Sequence, residues 1–339
     1  MDIKELTDLL VKSGETVRCK YIPWWEDDFE NCTYRYDILK EEEIKEIEDC
    51  AGSAERDLLF APVGSVGLNL FALFVWHNLY NLVETLLSEG ADANCTDGKG
   101  RGITPLMLAC CRSNLKMAEL LLAHGAKADA CDALGRNSYH YLAYPRIEGM
   151  TNMRVNEKHN IEQRTAIARL LGEGINQKDN AGMTPFACML HSDYTNCSYA
   201  LTDIFLDKGA ETDYVDEKGN TLLMTAILKR HMTAAFRLAE NGSLINQGNA
   251  EGKTPLAAAM DFRNEALCMV LKEHGAEGDC DFIRMDMGNF SRITSNAFCF
   301  PPEDTDKLTP ALYLAGRLLR QIDTDDDDEL GFFLGILHN

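Results

Sequence analysis

Along the middle of the chain, apolar residues come in short paired runs at helical spacing, each pair opened by a polar residue and closed by a glycine. After Thr104 and Pro105, Leu106 and Ala109 share one helical face; past Ser113 and Asn114, Met117, Ala118, Leu121 and Leu122 share another, and Gly125 follows. The pattern predicts two short helices joined by a turn. Thr104 can cap the first through its hydroxyl, Pro105 sits where a missing N–H is no loss, and Gly125 can take the left-handed conformation that ends the second. The opening pair recurs at Thr184-Pro185 and Thr254-Pro255. The paired apolar residues of the second helix return as Leu86-Leu87, Leu121-Leu122, Leu170-Leu171 and Phe205-Leu206, then weaken to Leu238-Ala239 and Leu271-Lys272. Each helical pair can bury only one face alone, so neighbours must stack to complete a core.

These landmarks keep a fixed period. Thr104 to Asn137 and Thr221 to Thr254 are each 33 residues apart, as are Gly209 to Gly242 and Gly242 to Gly275. Within a unit the opener and closing glycine are also locked, with Asn69 to Gly90, Thr104 to Gly125, Thr221 to Gly242 and Thr254 to Gly275 all 21 residues. A period of 33 is that of ankyrin arrays, and residues 67–276 resemble the ankyrin family. The resemblance implies an all-α solenoid of about six helix-turn-helix repeats, opening near Asn69, Thr104, Asn137, Thr184, Thr221 and Thr254. Only His140 keeps the histidine of the family's Thr-Pro-Leu-His motif; Met107, Ala187, Met224 and Ala257 replace it elsewhere. Much of the hydrogen bonding between repeats that this histidine supports is therefore expected to be missing, leaving stability to packing.

The family likeness also implies a function: a partner protein held on the hairpin fingers between repeats and on the concave first-helix surface. The candidate contacts are Lys99, Arg101, Arg136, Tyr214, Glu217, Lys218, Asn220, Glu251 and Lys253 at the fingers, with Tyr139 at the start of a first helix. Two repeats are longer than the others. An extra 16 residues fall around Tyr144 to Asn160 and an extra 4 around His191 to Tyr199, both between the two helices of a repeat. Such insertions map to loops on one face, where they either bind or drift. The longer one carries Arg146, Arg154 and Lys158.

Residues 1–66 and 277–339 read as α-helical acidic caps on the array. Ile3, Leu6, Leu9 and Leu10 form one helical stripe, and Ile38, Leu39, Ile44 and Ile47 another among many glutamates. Terminal repeats expose an apolar face that a polar-backed cap must cover. Trp24 and Trp25 beside their acids suit either an interface anchor or packing over the first repeat. Net charge is −21 overall, with −9 in residues 1–60 and −8 in residues 277–339, so the repeats themselves are nearly neutral. That field repels phosphate backbones and anionic lipid, which excludes nucleic acid and membrane as natural partners and favours a basic protein surface. An acidic inhibitor or immunity-type protein that occludes a basic toxin or enzyme is the narrower reading. The acidic N-terminus is unlike a leader and no run reaches a membrane span, so a cytoplasmic protein is expected. The 12 cysteines read as thiols, several standing where such helices take small apolar residues: Cys110, Cys111, Cys188 and Cys268.

Signatures of chemistry are weak throughout. Gly98-Lys99-Gly100-Arg101-Gly102 lacks the spacing and the hydroxyl residue of a P-loop and suits a finger tip. The run from Asp323 to Glu329 starts like a calcium loop but has Asp328 where glycine is needed. No Cys-x-x-Cys or His pair at i, i+4 marks a local zinc site, and Gly64-Ser65-Val66-Gly67 is no nucleophile elbow. His124 and His274 hold matching positions before a helix-ending glycine, which assigns them to the repeat. A non-enzymatic binding protein without metal or cofactor is expected.

Overall fold

In a computed structural model of the protein, the structure describes residues 5–10, 41–53, 56–61, 68–97, 100–144, 157–192, 198–242 and 244–280. Trp24, Trp25, Lys99, residues 145–156 of the long insertion and the C-terminal flank beyond residue 280 lie outside the described residues. The chain divides into two compact units, Met1–Cys188 and Met189–Asn339. The described elements are helices, and an isolated bridge pairs Val215 with Thr221. The first unit carries α1 (residues 5–10), α2 (Glu41–Ser53), α3 (Arg56–Phe60), α4 (Leu70–Trp76), α5 (Tyr80–Ser88), α6 (Pro105–Cys111), α7 (Leu115–Ala123), α8 (Ser138–Ala143) and α9 (Glu157–Leu170). Helix α10 (Pro185–His191) runs through the boundary in sequence, and α11 (Ser198–Asp207), α12 (Leu222–Leu228), α13 (Met232–Glu240), α14 (Pro255–Asp261) and α15 (Glu265–Glu273) follow.

All six residues read as repeat openers cap a helix. Their side-chain oxygens accept the N–H three residues on, at 2.7 Å for Asn69, 3.1 Å for Thr221 and 3.3 Å for Thr104, Asn137, Thr184 and Thr254. One orphan amide of each first turn is thereby satisfied. At the far end of α7, Gly125 N–H donates to Leu122 O and Ala126 N–H to Leu121 O, both at 3.0 Å, while Gly125 sits at φ 83°. That is the left-handed glycine closure the sequence called for.

Within each unit, first helices pack on first helices and second on second. In the first unit α6 lies against α4, α8 and its own partner α7, and α7 against α9. In the second, α12 meets α13 and α14, and α13 meets α11 and α15. The short first helices are buried on nearly every side, as in α6, where all residues from Pro105 to Cys111 are buried. The longer second helices bury one stripe, such as Met117, Ala118 and Leu121 of α7. The expected Leu170-Leu171 pair is split: α9 ends at Leu170, leaving that side chain 47% exposed while Leu171 is 1% exposed. Cys110, Cys111 and Cys268 are buried and Cys188 half-buried, and none of the four is in a disulfide.

Two contacts fix the first unit beyond the repeat pattern. Leu6 and Leu10 of α1 are fully buried, and the His77 ring, at the C-cap of α4, hydrogen-bonds Leu10 O through Nε2 at 2.8 Å. Arg164 of α9 is 4% exposed, and its guanidinium donates to Ser113 Oγ at 2.7 Å and Leu142 O at 3.0 Å. A cation therefore ties α9, which follows the long insertion, back to the turn of the preceding repeat.

The turns between paired helices store strain at a matching position. Asn78, Ser113, Arg230 and Arg263 all have φ between 53° and 63° without being glycine. A side chain there costs about 1 kcal/mol against the left-handed conformation. Arg263, which is exposed, offers the clearest test: Arg263→Gly is expected to raise stability by about 1 kcal/mol in urea unfolding.

Candidate functional site

Between successive repeats the backbone makes hairpin fingers, each organised by one Asp or Asn five residues before the next helix cap, or seven in the first finger. Asp132 Oδ1 accepts from Leu134 N–H and Arg136 N–H, both at 2.8 Å. Asp179 Oδ1 does the same for Ala181 and Met183, both at 2.9 Å, and Asp216 Oδ1 for Lys218 and Asn220 at 2.9 and 2.8 Å. Asn249 Oδ1 serves Glu251 and Lys253, both at 3.0 Å. The first finger is two residues longer, and there Asp97 Oδ1 accepts from Ile103 N–H at 3.1 Å. A backbone bond closes each hairpin, as from Asp132 N–H to Arg136 O at 2.8 Å. A short polar side chain thus takes the place of a second backbone strand.

Neighbouring fingers are also joined to one another. Ala133 N–H donates to Arg101 O at 2.7 Å and Asn180 N–H to Leu134 O at 2.8 Å; in the second unit Ala250 N–H donates to Lys218 O at 2.9 Å. Backbone groups that the turns leave open are satisfied by the neighbouring finger. At the second finger a side-chain cluster adds to this. Asp132 Oδ2 accepts from Arg136 Nε at 2.9 Å and from the Tyr141 hydroxyl at 2.8 Å, and the guanidinium lies 4.8 Å from the centre of the Tyr141 ring. Burial and the facing carboxylate push the Tyr141 phenol upward, so it stays a hydrogen-bond donor.

The described candidate partner contacts divide into three groups by exposure. Glu217, Lys218 and Glu251 are exposed at finger tips, where Leu134 joins them at 48% exposure. Arg101, Arg136, Tyr214 and Lys253 are half-buried: Arg101 pairs with Asp97 at 2.9 Å, Lys253 Nζ with Asp261 Oδ2 at 2.5 Å, and the Tyr214 ring meets His191 edge-on. Tyr139 and Asn220 are structural residues instead. Tyr139 is 0% exposed and its hydroxyl lies 2.7 Å from both Leu171 O and Gly172 O, which it serves as donor. Asn220 is 7% exposed, donating to Asp216 Oδ2 at 2.9 Å and accepting from Asn249 Nδ2 at 3.1 Å. Neither can offer its side chain to a partner.

The histidine motif shows what the other repeats do without it. His140 lies between Asn137, whose N–H reaches Nδ1 at 3.2 Å, and Met183 O, 3.1 Å from Nε2, so it bridges its own cap to the finger that follows. In the preceding repeat the same cap N–H, on Thr104, has only Met107 Sδ at 3.3 Å. Asp179 and Cys188 stand beside His140, and one donor atom from each of the three lies within 4.8 Å of the others.

Paired short helices that stack like with like and are linked by hairpin fingers define a helical repeat protein with a preformed finger surface. A family model for ankyrin repeats, described as three copies, matches residues 71–152 and 187–282, more than half of the chain. The chain belongs to the ankyrin repeat family. It is 26% identical over 185 residues to the phosphocholine transferase AnkX of Legionella pneumophila, covering 53% of this chain and 18% of that protein. It is 28% identical over 201 residues to human transient receptor potential cation channel subfamily A member 1, covering 58% of this chain and 16% of the channel subunit. The chain thus spans less than a fifth of either relative. Among solved structures it is similar to an ankyrin repeat domain from Acinetobacter baumannii, at 20% identity and a TM-score of 0.45, over 60% of this chain and 94% of that one. No helix among the described residues is long and apolar enough to cross a membrane.

Proposed function

We propose that this chain is a non-enzymatic protein-binding module whose partner contacts the finger tips and the adjoining first-helix surface. The observation that carries the reading is the division of labour within each finger. The backbone is fixed by an Asp or Asn and by the neighbouring finger, while Leu134, Glu217, Lys218 and Glu251 project into solvent. A backbone held this way loses little conformational freedom on binding, so contact energy goes to fixing side chains and not to ordering a loop. Ankyrin repeats in general mediate protein–protein interaction. A transferase and a channel share similarity to this chain over a minor part of their lengths, which suits a binding part common to proteins of unrelated activity.

The overall charge of −21 favours a basic partner, and an acidic inhibitor of a basic enzyme is the narrower form of the same reading. The test is a pull-down from native lysate with wild type and with the double variant Lys218→Glu, Glu251→Lys. A specific partner identified by mass spectrometry is expected to bind the variant at least about tenfold more weakly, the loss of about 1.4 kcal/mol of contact. The melting temperature should be unchanged, and wild-type binding should weaken steeply as salt is added. Undiminished capture by the variant would remove the finger surface from the interface.

A further inference from the structure

The fingers enter α12 and α14 at their capped N-terminal ends; at the opposite ends, both in the second unit, exposed apolar and cationic side chains stand together. Leu228, 38% exposed, is the last residue of α12, and Phe262, 40% exposed, is the C-cap of α14. The two helices pack on each other, and the Arg230 guanidinium lies 5.3 Å from the centre of the Phe262 ring. Arg230 and Arg263 are exposed and hold the same place in successive turns, each two residues past its helix. The acid beside them, Asp261, is paired with Lys253. The turns that present these side chains are anchored. His231 Nε2 lies 3.1 Å from Ser192 O, and Asn264 accepts Leu267 N–H at 3.0 Å while its Nδ2 reaches Met232 Sδ at 3.2 Å. An apolar edge with two guanidinium groups, on a chain of net charge −21, suits a segment that is both anionic and apolar. We propose that this edge is the docking surface for the chain's own residues 323–337, which lie outside the described residues.

The segment matches the edge in both parts of its chemistry. Six carboxylates stand in the seven residues from Asp323 to Glu329, and Leu330, Phe332, Phe333 and Leu334 follow directly. Guanidinium groups hold carboxylates through paired N–H donors, and the aromatic side chains gain most by covering Leu228 and Phe262.

The first unit already uses the matching edge in this way. His77, the C-cap of α4, stands eight residues past its repeat opener Asn69, as Phe262 stands eight past Thr254. Its Nε2 hydrogen-bonds Leu10 O at 2.8 Å, and Leu6 and Leu10 of α1 are fully buried. An acidic flank, −9 over residues 1–60, thus supplies the element that meets a first-helix end there. The second unit has matching ends and its own acidic flank, −8 over residues 277–339.

Attachment favours this segment over a free peptide of the same chemistry. Forty-two residues separate Cys280 from Asp323, and at about 3.3 Å per extended residue they reach far beyond helices of 7 to 10 residues. A tethered segment acts at a roughly millimolar effective concentration, so an unattached acidic peptide of equal affinity is displaced.

The test uses the full chain with the photo-cross-linker benzoylphenylalanine in place of Phe262. Irradiation and trypsin digestion, which cuts after Arg320, are expected to yield residues 321–339 joined to the peptide that carries position 262. In an equal mixture of 15N-labelled and unlabelled protein, each product should be wholly labelled or wholly unlabelled. The double variant Arg230→Glu, Arg263→Glu should lower the yield at least about tenfold, and added salt should lower that of wild type. Its melting temperature should be kept, because both side chains are exposed. Adding Asp325→Arg and Asp327→Arg to that variant should restore the product, which general damage to the fold would not allow. No product, a product with another part of the chain or with a second copy, or a yield indifferent to the charge reversal would overturn the proposal.

Discussion

Replacing Asp132 with alanine is expected to destabilise the first unit by about 3 kcal/mol, the low end of the cost of breaking a buried charged pair. The carboxylate does four things at once. Oδ1 accepts Leu134 N–H and Arg136 N–H at 2.8 Å, and Oδ2 accepts Arg136 Nε at 2.9 Å and the Tyr141 hydroxyl at 2.8 Å. Alanine would take away the acceptor of the Tyr141 hydroxyl proton in a residue that is 1% exposed, although Arg136 Nη2 still donates to the hydroxyl oxygen at 2.9 Å, while water could reach part of Arg136, whose side chain is 22% exposed. That partial exposure is why the low end applies. Asp132→Asn should cost less, about 2 kcal/mol, because an amide oxygen can keep both finger amides while the amide nitrogen no longer accepts from Arg136 Nε or the Tyr141 hydroxyl. Asn249 already performs this service in the last finger. Urea unfolding followed by circular dichroism separates the two variants. Equal costs would mean that the two finger amides gain nothing from the Oδ1 oxygen.

What the sequence reveals here depends on whether a role is tied to one residue type at one place. The helix openers were legible because an N-cap needs a short polar side chain at a single position, and all six supply it. The finger residues carry an equally regular signal, an Asp or Asn followed three residues later by glycine at Asp132, Asp179, Asp216 and Asn249. Read as polar loop positions, they give no hint that their side chains are wholly occupied by backbone. Tyr139 and Asn220 were expected at the surface for the same reason: a finger or a helix start is exposed on average. Tyr139 instead enters a helix buried on every side, and Asn220 has its amide consumed between two fingers. Arg164 was illegible, since a lone cation on a helix implies solvent and its anchor, Ser113, is 51 residues away. His140, Asp179 and Cys188 come together in the fold although 39 and 9 residues separate them in sequence, a spacing that carries no local signal.

The spacing of the fingers is set by glycine, and two alanine substitutions in the second unit should separate backbone strain from contact. Gly219 and Gly252 hold the same place in successive fingers, at φ +75° and +76°. Alanine at either must adopt a left-handed conformation, at about 1 kcal/mol. Their surroundings differ. A Cβ on Gly219 would lie 2.8 Å from Ala250 N and 3.3 Å from Asn249 C, both backbone atoms, whereas one on Gly252 meets nothing within 4 Å. Ala250 N is also the atom that donates to Lys218 O at 2.9 Å, so relieving the clash lengthens the bond that joins these fingers. Overpacking against atoms that cannot rotate away adds about 2 kcal/mol, giving about 3 kcal/mol for Gly219→Ala against about 1 for Gly252→Ala. Hydrogen exchange at Ala250 should accelerate in the first variant and not in the second, because only there is the amide pushed from its acceptor. Matching losses of stability, with Ala250 equally protected in both, would show that the fingers are held apart by something other than the missing side chain of Gly219.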